Sequence, residues 1–373
     1  MLPEATDRKR LRVGIVGCGK IADGHAEVLR YMAGVELAAV CDREPILAEQ
    51  LAVRFGVGAW YTDTAEMLAK AQLDVVHITT PPGAHLALTE QCAAAGAHVF
   101  LEKPLALTSA DAEKLIASVE KAGLMLSIDY WPNFDPVALE MKRMLTDGVV
   151  GEVVHVEAFI GYDLAGEYGR ALMNDPRHWV HGLPGKLFQN MLDHICNRMT
   201  PFFTEEPEVR AMAYKRRLGE RGDSTDALLD ELRFVAKSGR VSAYGTLCSH
   251  ARPVANTMKI YGTAATLEVD FNNRTVVATT TQKYPSSLGR LFPAFVMARR
   301  YWAQAWKNVG RFRRKEFQFF VGMETLLTRF YDAIRNGGEP PIAYREILMA
   351  ARMMDSVYAQ VYPVKTPAGD AAQ

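Results

Sequence analysis

The sequence predicts an α/β region followed by an α+β region: a doubly wound parallel sheet, then a domain built on an antiparallel sheet with helices. Three observations predict it. Short apolar runs alternate with helical stretches from Leu11 to Ile128. A glycine-punctuated turn, Gly17-Cys18-Gly19-Lys20-Ile21-Ala22, joins the first run to the first helix. After Gly151 the apolar runs lengthen, alternate in polarity and follow one another with no helix of similar length between most of them. A chain of 373 residues has room for about two domains.

Leu11 to Val16 is the first strand, and Ile21 to Tyr31 the helix after it. Val35 to Cys41 is the second strand, ended by Asp42. Pro45 to Phe55 reads as a helix, since proline is tolerated in a first turn. Val75 to Thr79 is the next strand, stopped by Pro81-Pro82, and Leu86 to Ala95 is a helix closed by Gly96. His98 to Leu101, a helix from Ser109 to Ala122, and Leu124 to Ile128 complete the alternation. Strands spaced by helices of this length lie parallel and are covered on both faces.

Pro136 to Asp147 is a helix ended by Gly148. Seven strands are then expected: Val153 to Ile160, Glu208 to Arg216, Ala227 to Ala236, Val241 to Cys248, Asn256 to Gly262, Ala265 to Asp270 and Thr275 to Thr280. The expected domains are 1–130 and 131–373, the second carrying an extra basic amphipathic helical segment at 284–318.

Composition narrows the function classes. With 49% hydrophobic and 23% charged residues the chain is too apolar for a disordered protein. Forty-three basic residues balance forty-three acidic ones, which argues against a general nucleic-acid binder. Cys18, Cys41, Cys92, Cys196 and Cys248 are odd in number and scattered, so neither a disulfide framework nor a zinc site is expected. His178, His181 and His194 lack a cysteine or carboxylate partner at metal-ligand spacing, and no metal is expected there. The N-terminal stretch does not read as a signal peptide, and no apolar run approaches a membrane span. The expected compartment is the cytoplasm.

The glycine turn lies between a strand and a helix, where backbone N–H groups can approach a pyrophosphate at the helix N-terminus. Asp42 ends the following strand, 23 residues after Gly19, where a carboxylate can accept hydrogen bonds from ribose hydroxyls and repel a 2′-phosphate. That combination reads as dinucleotide binding and favours NAD, although Arg43 could meet the 2′-phosphate of NADP. Glu102-Lys103-Pro104 follows the fourth expected strand. Crevices of open α/β sheets form at the carboxyl ends of strands, so Lys103 stands where a cofactor and a substrate would meet. An isolated lysine in such a place is more often simply solvated.

Thr79-Thr80-Pro81-Pro82-x-x-His85, Ala95-Gly96-x-His98-Val99-x-x-Glu102-Lys103-Pro104 and the glycine turn, in this order, resemble the glucose–fructose oxidoreductase, inositol dehydrogenase and rhizopine-catabolism superfamily (Gfo/Idh/MocA). The likeness runs through residues 11–160 and returns at Phe330 to Tyr358; residues 281–320 lie outside it. It implies an N-terminal Rossmann domain, a nicotinamide cofactor, a sugar-like polyol substrate and a homo-oligomer, dimer or tetramer. It implies cofactor contacts from Gly17, Gly19, Lys20, Ile21, Asp42, Arg43, Thr80, Pro81, His85, Glu102 and Lys103. In Gly185 to His194 the family pattern has an Asp and, four residues later, a His; here they are Asn190 and His194. Residues at i and i+4 share one helix face. An imidazole at His194 suits proton exchange near neutrality, whereas Asn190 can hold a hydroxyl but cannot take its proton. A satisfied buried histidine is the competing reading. Asp129, Trp131, Asn133, Tyr162 and Trp179 are further substrate-binding candidates, each equally at home in packing.

Between Lys283 and Lys315 stand nine basic residues and no acid, which leaves 34 basic against 43 acidic residues elsewhere. Leu291, Phe295, Ala298, Trp302, Ala305, Trp306 and Val309 form one helical stripe, with Arg300, Lys307, Arg311 and Arg314 opposite. Such a helix suits a membrane surface from Leu291 to Arg314, placing the protein peripherally at the inner face of the membrane. It equally suits a cover for the second domain or a neighbouring subunit, with its basic face in water; contact with a phosphate-rich ligand is the third reading.

The reading that results is an NAD-dependent oxidoreductase acting on a ring carbon of a sugar, a sugar nucleotide or a related polyol. The alternatives are an NAD-dependent glycosidase that retains its cofactor and a non-catalytic dinucleotide-sensing regulator.

Overall fold

The computed structural model describes residues 10–166, 169–170, 172, 175, 177–216, 228–281, 285, 288–318 and 320–362. They form two compact units, Met1–Pro132 with Phe319–Leu348, and Asn133–Gln318 with Met349–Gln373. The expected division into 1–130 and 131–373 therefore differs in one respect: Phe319–Leu348 belongs with the first unit.

That unit holds a parallel sheet in the order β3-β2-β1-β4-β5-β6, built from β1 (Leu11–Val16), β2 (Val35–Cys41), β3 (Trp60–Tyr61), β4 (Val75–Ile78), β5 (His98–Leu101) and β6 (Leu126–Ile128). The helices are α1 (Lys20–Tyr31), α2 (Pro45–Phe55), α3 (Thr64–Ala71), α4 (His85–Ala94) and α5 (Ser109–Lys121). Val13, Ile15, Val75, Val76, Ile78, Val99 and Phe100 are fully buried, as strands covered on both faces require. β3 and α3 were not expected. A two-residue strand carries no periodicity, but α3 has a legible start, since Asp63 caps it by accepting from the Glu66 N–H at 2.8 Å.

A further helix, Val321–Asn336, buries Met323, Leu326, Leu327, Phe330 and Tyr331 in the first unit. Phe330 packs on Phe100 and Tyr331 stacks on His77, with ring centroids 5.5 and 6.1 Å apart. Gly24 belongs to this packing rather than to the glycine turn. It lies inside α1, and a Cβ there would come within 2.5 Å of the Phe320 ring.

The second unit holds a seven-stranded sheet in the order β13-β12-β11-β7-β10-β9-β8. The strands are β7 (Val153–Gly161), β8 (Glu208–Tyr214), β9 (Glu231–Ser238), β10 (Val241–Cys248), β11 (Asn256–Gly262), β12 (Ala265–Asp270) and β13 (Thr275–Thr280). Ala227, expected to open β9, lies outside the described residues. The sheet is mixed rather than purely antiparallel, because β7 and β10 pair in parallel. The chain leaves β7, passes through a helix and the β8 and β9 strands, and returns in the direction in which it left.

Two helices, α6 (Pro136–Thr146) and α7 (Lys186–Met199), contribute Val137, Met141, Phe188, Leu192, Ile195 and Met199 to the core under this sheet. Alternate residues on the other face, such as Met212, Val235 and Tyr244, are exposed.

The helix expected in the basic segment is α8 (Leu288–Arg313); Lys283 and Tyr284 lie outside the described residues. It runs beside β13 on its polar side. Arg300 donates to the Ala278 carbonyl, Lys307 to Glu140 Oε1 at 2.6 Å, and Arg311 to Glu140 Oε2 at 2.5 Å and to the Arg274 carbonyl at 2.9 Å. Gln304 is buried beneath. The arrangement expected for a covering helix, with apolar stripe inward and cations in water, is thus inverted. A half-buried carboxylate and main-chain carbonyls satisfy the guanidinium and ammonium groups, while the aromatic stripe stays exposed.

Candidate functional site

In the first unit a cleft of about 570 Å³ opens at the carboxyl ends of β1, β2 and β4, where the strand order reverses. Val16, Gly17, Gly19, Cys41, Asp42, Arg43, Leu47, Thr62, Thr64, Thr79, Thr80, Pro81 and Leu88 are among its walls. Gly17 has φ +94°, and a Cβ there would sit 2.9 Å from the Thr79 and Thr80 main chain, so the turn requires glycine. A Cβ at Gly19 would meet nothing within 4 Å, which leaves the mouth of α1 open. No side chain caps that helix end, so its first N–H groups remain for a ligand. Asp42 is held by main chain: Oδ2 accepts from the Cys18 N–H at 2.6 Å and Oδ1 from the Glu44 N–H at 2.9 Å. A carboxylate fixed beside a glycine turn and an open helix mouth is a lining that fits an adenine dinucleotide. Burial first, and the Asp42 carboxylate second, push the Cys18 thiol up to about 12, so this cysteine stays protonated beside the cleft.

The cleft walls include Gly17, Gly19, Asp42, Arg43, Thr80 and Pro81 from the expected cofactor set. Lys20 and Ile21 lie in the first turn of α1. His85 has a different place. It is fully buried, with Nδ1 2.9 Å from the Leu105 carbonyl and Nε2 2.8 Å from the Thr80 carbonyl, so it braces the Thr80-Pro81 loop from beneath. Sequence reasoning missed Thr62 and Thr64 because it missed the short β3 and α3 that present them.

Glu102 lies inside the unit rather than on the cleft wall. It accepts from His25 Nε2 at 3.1 Å and from the Lys103 N–H at 3.0 Å. His25 Nδ1 lies 2.8 Å from His77 Nδ1, and His77 Nε2 lies 2.7 Å from the Tyr331 hydroxyl. One set of donors satisfies every nitrogen with a single buried charge: Tyr331 to His77, His77 to His25, His25 to Glu102. Burial and the adjacent His25 hold His77 well below the ordinary histidine range. Asp129 also lies in this cluster, 3.6 Å from His25 Nε2, with its carboxyl pushed well above the usual range by burial and by Glu102. Burial and the neighbouring Glu102 carboxylate thus both disfavour the charged form of Asp129. Lys103 itself is half-buried at the carboxyl end of β5.

In the second unit Asn190 and His194 occupy one side of α7, both half-buried, while Asp193 points into the interior. The i, i+4 pairing holds, and Asp193, about 100° round the helix from His194 and buried, is not placed to stand in for the carboxylate missing at Asn190. Asn133 donates to Asn197 Oδ1 at 3.0 Å, one turn beyond His194. Tyr162 follows β7, half-buried. Trp131 is half-buried in the turn Trp131–Phe134, and the Trp179 side chain lies outside the described residues.

Residues 11–130 match the family described as "Oxidoreductase family, NAD-binding Rossmann fold". The D-apiose dehydrogenase of Paraburkholderia graminis is 35% identical over 146 residues, 39% of this chain and 39% of that protein. The alignment thus spans about two fifths of the relative's length. The myo-inositol 2-dehydrogenase of Thermotoga maritima is 26% identical over 280 residues, 73% of this chain and 79% of the relative. Among solved structures, the scyllo-inositol dehydrogenase from Lactobacillus casei with bound NAD(H) and scyllo-inositol shares the fold, with a TM-score of 0.71 and 19% identity over 95% of this chain and 97% of that one. The glycine turn, the reversal of strand order above it and the anchored Asp42 are how this sequence builds residues 11–130, the part that matches the NAD-binding Rossmann domain of the Gfo/Idh/MocA oxidoreductase family.

Proposed function

We propose that this protein is an NAD-dependent dehydrogenase that interconverts a ring hydroxyl and a ketone on a sugar, a sugar nucleotide or a related polyol. The observation that carries the reading is Lys103, half-buried at the carboxyl end of β5 in the same parallel sheet whose crevice Asp42 lines. Nicotinamide, when bound, supplies the hydride acceptor or donor. Lys103 orients the reacting oxygen and stabilises negative charge that grows on it. His194 exchanges the hydroxyl proton, and the Asn190 amide holds a neighbouring hydroxyl. The fixed Asp42 carboxylate supports NAD over NADP, because it would meet a 2′-phosphate with like charge. Five free, buried cysteines support a reducing cytoplasm, and the exposed Met212, Val235 and Tyr244 on the open sheet face support a homo-oligomer.

The test is a panel of cyclitols, sugars and nucleotide sugars read by NADH absorbance. Net NADH formation with one of them is expected, and His194→Ala should lower that rate about 10²–10⁴-fold while NAD still binds. Turnover by His194→Ala near that of the unaltered enzyme would remove the proton-exchange role. Asn190 in place of a carboxylate gives the two alternatives a definite signature. Cofactor retained through glycoside cleavage without net NADH would mark a glycosidase, and NAD binding without chemistry a sensor.

A further inference from the structure

The α8 helix turns its aromatic face to solvent. Leu291, Phe295, Trp302, Trp306 and Phe312 are 55, 65, 65, 59 and 71% exposed, and the two tryptophan rings meet edge to face 6.0 Å apart. Scattered exposed apolar residues are ordinary, but five large ones, each more than half exposed on one helix, mark a surface that something covers. At helical spacing, Arg299 and Arg313 fall on this same face among the aromatic rings. Both are exposed, as are Arg290 and Lys315 towards the two ends. No acid occurs between Lys283 and Lys315. The other cations of the helix, Arg300, Lys307 and Arg311, are engaged by Ala278, Arg274 and Glu140 and are not part of the face.

We propose that this face docks the protein flat on an anionic lipid surface. Charge decides between the occupants. A second copy meeting the patch across a two-fold axis would set Arg299 and Arg313 against their own counterparts with no acid between them. Lipid phosphates supply the missing counter-charge, and the headgroup boundary takes up the aromatic rings. No described helix is long and apolar enough to cross a membrane, so the contact is a surface one. Glu140 has a part in this: by holding Lys307 and Arg311 it fixes α8 with its polar side against β13 and its rings outward.

The experiment is co-sedimentation of the full chain with vesicles of phosphatidylcholine alone and of phosphatidylcholine mixed with phosphatidylglycerol, at low and high salt. Binding to the mixed vesicles alone, released by salt, is the expected result. The double variant R299E/R313E should lower the partition at low salt by at least ~30-fold, the equivalent of two cations at ~1 kcal/mol each. W302S/W306S should also lose binding, with thermal unfolding and NAD affinity unchanged in both variants, since no substituted residue is buried or lines the cleft. A full chain that stays in the supernatant with anionic vesicles at low salt would overturn the proposal. So would R299E/R313E binding as well as the unaltered chain. Absence of vesicle binding together with a smaller particle for W302S/W306S in gel filtration would give the face to a second copy instead.

Discussion

Asp42 carries two loads that a strand-end carboxylate need not combine. It ties down the glycine turn through the Cys18 N–H and its own loop through the Glu44 N–H, and it lines the cleft. Asp42→Ala should therefore weaken both nicotinamide cofactors by loosening the turn, and weaken NAD more by removing the ribose acceptor. Titration of NAD and NADP by fluorescence quenching checks this, and equal losses would remove the ribose assignment. The residue was legible in the sequence because position alone, one strand after a glycine turn, marks it. The second load was not, because Cys18 and Asp42 meet only when β1 and β2 pair in register, Val16 beside Cys41.

His77 sits mid-strand in β4, where the sequence Val-Val-His-Ile shows only an apolar run with one interruption. In the fold it links Tyr331 to His25 and so to Glu102. Because its folded pKa is depressed, neither state binds a proton there above the unfolded value of about 6.5. As pH falls below about 6.5 the unfolded chain takes up a proton that the folded chain refuses, so stability falls. One such group contributes a slope of about 1.4 kcal/mol per pH unit. Urea unfolding between about pH 6.5 and 5 should show that slope reduced by up to this amount in His77→Gln. An unchanged slope would mean that His77 takes up its proton equally in the folded and unfolded chain, and its depressed pKa would be refuted. For α7, the helical spacing was enough to place Asn190 and His194 on one side, because a period of 3.6 is a local property.

The helix Val321–Asn336 belongs to the first unit although nearly two hundred residues separate it from β6. Phe330 and Tyr331, both fully buried, complete the cover over Phe100 and His77. A chain ended after Gln318 should therefore fail to hold a stable first unit, even with the whole parallel sheet present. The loss exceeds one large core truncation, which alone costs ~3–5 kcal/mol. Limited proteolysis should cut within residues 1–132 of that truncated chain under conditions in which the full chain resists. Equal resistance would show that the sheet stands without its late helix.

The sequence by itself determined what depends on near neighbours. Apolar runs alternating with helical stretches gave the parallel sheet, the glycine turn and Asp42 gave the nucleotide cleft, and β10 to β13 were placed to the residue. The tertiary structure alone decided what depends on which distant surfaces meet. It set β7 parallel to β10, returned 319–348 to the first unit, and joined Tyr331, His77, His25 and Glu102. It also decided the facing of α8. An amphipathic pattern states that a helix has two sides, and convention puts the apolar side inward. Here Glu140 and the main chain at β13 offer partners to the polar side, to Arg300, Lys307 and Arg311 and to the Gln304 amide, so that side packs and the aromatic side is left to the solvent.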